Sequence, residues 1–288
     1  MNVVHNPDEL EPARRAVAIG TFDGVHRGHA RVLEAATASG LRPAVLTFDP
    51  HPRMLFGQPV ELLTTLERRL ELLADRGIED VLVCRFDPGL AELTAEEFAE
   101  SILRAMGADV VAAGDGFRFG RGRSGDLALL ERLGFDVRRV PLVDNVSSSH
   151  IRRLLEAGEV AQAAQLLGRP PEVEGTVVHG EHRGAGLGFP TANLDIAPGL
   201  LDPALGIYAG SALDRRAAIS IGTNPHFGGT ERRVEAYLLD HEEDLYGRRL
   251  VVELWERLRD EAAFGSEAEL VEQIAADVRR TREAQRPA

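Results

Sequence analysis

Hydrophobic periodicity changes once along this chain, and the change limits what it can fold into. Short apolar runs at Ala16–Ile19, Ala44–Phe48, Val81–Val83 and Val110–Ala113, with a weaker one near Val137–Val140, alternate with amphipathic stretches near 28–39, 65–77, 95–106 and 125–134. Apolar runs this short, each followed by a helical pattern, read as strands buried on both faces. The spacing therefore predicts a parallel, doubly wound α/β sheet of Rossmann-like type. Residues 147–167 read as two further helices, and Gly168-Arg169-Pro170-Pro171 then ends the helical pattern, because proline offers no backbone N–H to continue it. Beyond this break come strand-like runs at Glu174–Val178, Gly206–Ala212, Ala217–Ile221, Arg233–Leu239 and Leu250–Leu258, separated by glycine, proline and aspartate turns. They predict a small all-β barrel. A final helix over about 267–282 carries Leu270, Val271, Ile274 and Val278 at helical spacing. With 288 residues, 44% of them hydrophobic, two cores are affordable, and the expected domains are 1–168 and 172–288.

Charge excludes some partners. A net charge of -13 repels a polyanionic backbone, which argues against a sequence-independent nucleic-acid binder or an anionic-membrane binder. All 33 basic residues are arginines, so a Walker A lysine, a protein-kinase strand lysine and a Schiff-base lysine are excluded together. Phosphate chemistry here must rest on helix N-termini, arginine, histidine and metal. The single cysteine, Cys84, lies in the apolar run Val81-Leu82-Val83-Cys84, which excludes an internal disulfide and points to a buried thiol in a reducing cytoplasm. No apolar stretch approaches the roughly 20 residues of a membrane span, and the first residues lack the charged start and apolar middle of a signal peptide. The expectation is a soluble, cytoplasmic protein, with self-association left open.

Where the first run ends, Gly20-Thr21-Phe22-Asp23-Gly24 forms a tight loop, and His26 and His29 follow three residues apart at a helix start. Such a strand-to-helix turn presents free amides and the positive end of a helix to an anion. Two histidine donors there suit nucleotidyl transfer, in which the α-phosphorus gains charge as an oxyanion attacks. An isolated H-x-G-H is more often mere capping; its placement after a strand favours the site. Gly20, Phe22, Asp23 and Gly24 are the expected nucleotide-binding residues, with His26 and His29 catalytic.

The run G-T-F-D-G-V-H-R-G-H resembles the signature of the FMN adenylyltransferase module of bacterial bifunctional riboflavin kinase/FAD synthetases. Three further segments are similar to that family in order: Thr47-Phe48-Asp49-Pro50-His51-Pro52, Gly114-Asp115-Gly116-Phe117-Arg118-Phe119-Gly120 and Val146-Ser147-Ser148-Ser149-His150-Ile151-Arg152. The resemblance implies ATP contacts at Ser147 and Ser148, whose hydroxyls also suit a helix N-cap, with Arg152 neutralising departing pyrophosphate. It implies flavin contacts at Asp49 and Phe117. Two positions depart from the pattern: Gly116 stands where the family usually has an acid or amide that helps hold the flavin nucleotide, and Ser149 replaces a threonine.

The second half resembles the same family. Gly184, Gly186 and Gly188 lie in a loop whose backbone can approach phosphates. They lead into Phe189-Pro190-Thr191-Ala192-Asn193, similar to the riboflavin kinase motif in which the threonine and asparagine hold Mg²⁺ beside ATP. Two neutral oxygens suit a hard cation that keeps its waters. Downstream similarity at Ser220–Gly228, Val234–Asp240 and Leu258–Glu261 implies Glu235 as general base toward the ribityl hydroxyl, with Arg259 and Phe264 against the flavin. His226 and Tyr237 depart from the usual threonine and histidine. The implied activity is phosphorylation of riboflavin to FMN and adenylylation of FMN to FAD, with ATP, riboflavin and FMN as substrates. Two alternatives stay open on sequence: a chain that stops at FMN because of Gly116, and a flavin-binding protein without turnover.

Overall fold

The computed structural model describes residues 1–180, 186–223, 232–241 and 243–287. They form two compact units, one of Met1–Val60 with Leu66–Ser147, the other of Glu61–Thr65 with the chain from Ser148 onward.

The first unit is a parallel sheet of β1 (Asn2–Val4), β2 (Arg15–Ile19), β3 (Arg42–Asp49), β4 (Asp80–Arg85), β5 (Ala108–Gly114) and β6 (Asp136–Val140), in the order β1-β4-β3-β2-β5-β6. Strand alternation sends Val17, Ile19, Leu46 and Leu82 into one core and Ala16, Ala18, Val45 and Val81 into another, so both faces are covered. The helices are α1 (Arg27–Thr37), α2 (Pro52–Leu55), α3 (Leu66–Ala74), α4 (Pro88–Glu92), α5 (Ala95–Phe98), which runs on as a π-helix over Ala99–Arg104, and α6 (Leu127–Arg132). A capping box between Thr94 and Glu97 starts α5. The expected strands and helices are present, and the sequence reading missed β1, whose three residues are too few to show a period.

At the N-terminal ends of the central strands lies a buried ion network. Asp80 accepts from Arg15 Nε at 2.7 Å and from Arg42 Nε and Nη2 at 2.7 and 2.9 Å. Burial pushes the Asp80 carboxyl up, but the hydrogen bonds from Arg42 and Arg15 outweigh it and hold it below the usual carboxylate value. Cys84 is buried as expected, and burial pushes its thiol up to about 12.

In the second unit β7 (Glu172–Val178), β8 (Ala192–Ile196), β9 (Gly206–Ala212), β10 (Arg215–Thr223), β11 (Arg232–Leu238) and β12 (Arg249–Arg259) close an antiparallel barrel in the order β10-β11-β8-β7-β12-β9. Val177, Leu194, Tyr208, Ile219, Val234 and Val252 are among the side chains that fill it. Two register shifts bend β12 around the wall. Helices α7 (Ser148–Glu156) and α8 (Val160–Leu167) add Ile151, Leu155 and Leu167 to the same core, and α8 stops on Gly168, which takes the left-handed φ of 75°. The compact units thus part before α7, upstream of the Gly168–Pro171 break. The short piece Glu61–Thr65 is fastened to this unit: Leu62 donates to the Gly199 carbonyl and accepts from Leu201 N, and Thr65 Oγ1 donates to Glu174.

The sequence reading missed β8, which starts inside a motif, at Ala192 and Asn193, that draws attention to chemistry rather than to alternation. The last helix is present as α9 (Glu267–Glu283), but its apolar positions are not what it buries. Leu270, Val271, Ile274 and Val278 are only half-buried; the buried residues of α9 are Asp277 and Thr281. The reason is that the facing barrel wall offers arginines: Arg259 pairs with Asp277, and Arg216 Nη1 donates to the carbonyls of Thr281 and Ala284.

Candidate active sites

In the first unit the order of strands reverses at β2, with β3, β4 and β1 to one side and β5 and β6 to the other. Open α/β sheets bind ligands outside the carboxyl ends of the strands at such a switch. Gly20–His29 follows β2, Asp49 ends β3, and Asp115–Phe119 follows β5, so three segments singled out from sequence share that edge.

The loop after β2 is forced into an uncommon shape. Phe22 and Val25 have φ of 50° and 38°, a left-handed conformation that costs a side-chain-bearing residue about 1–3 kcal/mol, and Gly24 has φ of 79°. Burial and hydrogen bonds hold it there. Phe22, Asp23 and Val25 are buried, Gly20 N donates to the Leu46 carbonyl at 3.2 Å, and Thr47 Oγ1 donates to the Thr21 carbonyl at 3.1 Å. The loop delivers His26 to the N-cap of α1, where its Nδ1 accepts from His29 N at 3.2 Å. An accepting Nδ1 carries no proton, so in the neutral ring the proton sits on Nε2 and can be donated. The two imidazoles stack, centroids 3.6 Å apart and planes 9° apart. Gly28 makes this fit, since a Cβ there would lie 3.1 Å from the His26 ring.

Burial, then the charges of His26 and Arg69, push the His29 imidazole well below its ordinary value, so it is neutral near pH 7. Its Nδ1 is buried without a hydrogen-bond partner among the described residues. Arg69 of α3, which the sequence reading missed, is also buried. Its Nη1 donates to the Phe48 carbonyl at 3.3 Å, and its Nε has no hydrogen-bond partner among the described residues. Burial lowers the Arg69 guanidinium, while Asp23 and Asp49 act to raise it. The signal was available: Arg69 shares a helical face with Leu72 and Leu73.

After β5, the half-buried Phe117 stacks on Phe119 with centroids 5.7 Å apart, and Gly116 stands in open space with nothing within 4 Å of where a Cβ would be. Ser147 closes the first unit. Ser148 and Arg152 belong to α7 in the second unit, where Arg152 Nε donates to the Glu61 carbonyl at 2.6 Å.

In the second unit the site residues are aligned by register. Successive cross-strand partners run Val178, Asn193, Glu235, Ser220, Ile207 and Arg259 through β7, β8, β11, β10, β9 and β12. Leu194, Val234, Ala236, Ile219 and Ile221 point into the barrel, so Asn193, Glu235 and Ser220 lie on its outer face. There Arg233 touches both neighbours: Nε and Nη2 lie 3.2 and 3.1 Å from Asn193 Oδ1, and Nη2 lies 2.5 Å from Glu235 Oε1. Asn193 Nδ2 also lies 3.4 Å from the Thr191 carbonyl. The amide of Asn193 sits directly over Gly180, where a Cβ would lie 2.2 Å from Nδ2.

At the end of β12, Arg259 forks onto Asp277, with Nη2 at 2.8 Å from Oδ2, and its guanidinium lies 5.7 Å from the Phe264 ring centroid. Asp277 was missed by the sequence reading, although its place on the helical face of Ile274 and Thr281 marked it. Gly186 and Gly188 are among the described residues, the latter with φ of 87°, whereas Gly184 and His226 lie outside them.

Family models match both halves: FAD synthetase over residues 8–152 and riboflavin kinase over residues 167–285. The chain belongs to the bifunctional riboflavin kinase/FMN adenylyltransferase family. It is 37% identical to the bifunctional enzyme of Escherichia coli (strain K12), covering 97% of this chain and 96% of that one, and 32% identical to that of Bacillus subtilis (strain 168), covering 95% and 93%. A solved structure of a macrolide-efflux protein from Streptococcus pneumoniae is 31% identical and covers 98% of this chain and 99% of its own, with a TM-score of 0.88. Among the described residues no helix is long and apolar enough to cross a membrane. The enzyme phosphorylates riboflavin to FMN with ATP, then adenylylates FMN to FAD with release of pyrophosphate. Neither a chain that stops at FMN nor a flavin binder without turnover is favoured by matches over both modules.

Proposed function

We propose that the two reactions divide between residues 1–168, which adenylylate FMN, and residues 172–288, which phosphorylate riboflavin, in the cytoplasm. The observation that carries the first assignment is the buried pair of unsatisfied nitrogens, His29 Nδ1 and Arg69 Nε, at the carboxyl edge where the strand order reverses. Buried polar groups are rarely left unpaired, and a phosphate oxygen is the partner such groups suit. The amides of Gly20, Phe22, Asp23 and Gly24, with Ser147, cradle the ATP phosphates, and the resemblance to the family implies Ser148 as a further nucleotide contact. Asp49 and Phe117 hold FMN, and its phosphate oxygen attacks the α-phosphorus. His26 and His29 donate to the charge that grows there, while the role of Arg152 toward the departing pyrophosphate is what the resemblance to the family implies.

In the second unit Glu235 takes the proton of the ribityl 5'-hydroxyl as its oxygen attacks the γ-phosphorus and ADP leaves. Gly186 and Gly188 lie along the nucleotide, and Arg259 and Phe264 border the flavin. Thr191 and Asn193 are suited to Mg²⁺: Asn193 Oδ1 already faces a cation, and Gly180 leaves its amide room that any Cβ would fill. When bound, the ion would neutralise charge on the phosphates and orient them.

A crossed pair of variants tests the division. With flavins separated chromatographically, Glu235→Gln is expected to lower FMN formation from riboflavin about 10²–10⁴-fold while leaving adenylylation of supplied FMN intact. His29→Asn is expected to do the reverse, by about 10²-fold. Loss of both reactions in either variant, with the fold intact by circular dichroism, would sink the assignment.

A further inference from the structure

We infer that Arg233 is a positioning residue of the kinase site, a built-in cation that holds Asn193 and Glu235 together until the metal and nucleotide displace it; this rests on the assignment of those two residues made above. The geometry carries it. Arg233 and Glu235 are two apart on β11 and so share the outer face, and Asn193 is the register partner of Glu235 on β8. The planar guanidinium spans both, with 3.2 and 3.1 Å to Asn193 Oδ1 and 2.5 Å to Glu235 Oε1. A fork of this kind matches two oxygens at once, which a lysine ammonium would meet only as a point charge.

Two consequences follow from charge alone. Asn193 Oδ1 cannot serve a divalent ion while two guanidinium nitrogens lie on it, because like charges would share one oxygen. Glu235 Oε1 is occupied as an acceptor for the same guanidinium, so that oxygen takes up no proton until the guanidinium leaves. Arrival of the ion with its nucleotide therefore frees Asn193 Oδ1 and Glu235 Oε1 together. The arginine competes for the oxygen, so the apparent affinity for the ion is lowered by the fraction of molecules in which the bridge is open. A bridge closed three-quarters to nine-tenths of the time raises the Mg²⁺ midpoint about fourfold to tenfold.

Binding tests this without turnover. Riboflavin fluorescence of the full chain is followed with saturating ADP, which cannot donate a phosphoryl group to the flavin, as MgCl₂ is added. Arg233→Ala is expected to lower the Mg²⁺ midpoint about fourfold to tenfold, with Arg233→Lys in between, and to leave adenylylation of supplied FMN unchanged. An unchanged or higher midpoint in Arg233→Ala overturns the inference. Should that variant fail to fold, Arg233→Lys decides on the same criterion. Asn193→Ala separates the two levels: if the Mg²⁺ response survives it unaltered, the metal assignment itself falls, whatever Arg233 does.

Discussion

The first unit's candidate site depends on backbone bent into an uncommon shape, whereas the second unit's candidate site depends on ordinary strand backbone whose register aligns the side chains. Gly20–His29 needs two side-chain-bearing residues in the left-handed region and a buried imidazole pair, and it sits at the edge of a sheet covered on both faces. Asn193, Glu235 and Arg233 need only that two strands, β8 and β11, pair in register, and they lie on the outer wall of a closed barrel. A strained, enclosed site has to be held by structure elsewhere in its unit. An outer-face site is largely independent of the core behind it, because alternate residues face opposite ways.

The largest expected effect follows from asking what holds the first unit. Asp80 is buried between Arg15 and Arg42, at the end of the strands opposite to the loop. Asp80→Ala leaves two cations without their carboxylate, which for a buried network costs about 3–5 kcal/mol. In urea, FAD formation by this variant is expected to fail at lower concentration than in the native chain, ahead of FMN formation. Simultaneous loss would break the contrast between the units.

Acid sharpens it next. The folded His29 has its value pushed down, so the unfolded chain takes up the proton first. Stability from this group is fully present above the ordinary histidine value of about 6.5 and falls as pH drops below it. Asp80, also lowered, contributes in a separate window, lost only as pH falls below about 4. Unfolding midpoints of the first unit are therefore expected to decline between about pH 6.5 and 4, and His29→Phe, which has nothing to protonate, is expected to flatten that slope. A slope unchanged in His29→Phe would assign it to another group.

Much of this was legible in the sequence, and the omissions have physical reasons. The parallel sheet was legible because strands buried on both faces are near-continuous apolar runs such as Val17-Ala18-Ile19. Glu235 and Asn193 could be read from motif, but their adjacency could not, because register between β8 and β11 is a tertiary fact. Arg69 and Asp277 were passed over for the same reason: each is a charged residue on the buried face of its helix, and a charge normally marks the solvated side. What overrides that rule is a partner supplied from elsewhere in the unit, the Phe48 carbonyl for one and Arg259 for the other.

The smallest expected effect concerns Gly116, where the first site departs from its family's pattern. A glycine can be kept for its backbone or for the space beside it, and here its φ is not in the left-handed region, so the backbone does not demand glycine. Nothing lies within 4 Å of a Cβ there, so a side chain can enter without moving a neighbour. An amide at this position, one residue before Phe117, would add one hydrogen bond to bound FMN, a gain of about 1 kcal/mol. Gly116→Asn is thus expected to lower KM for FMN roughly fivefold in adenylylation, leaving kcat and riboflavin phosphorylation unchanged. If KM rises instead, the space beside Gly116 is one the ligand itself fills. The strained loop after β2 would then not be the only part of the first site to depend on a residue without a side chain.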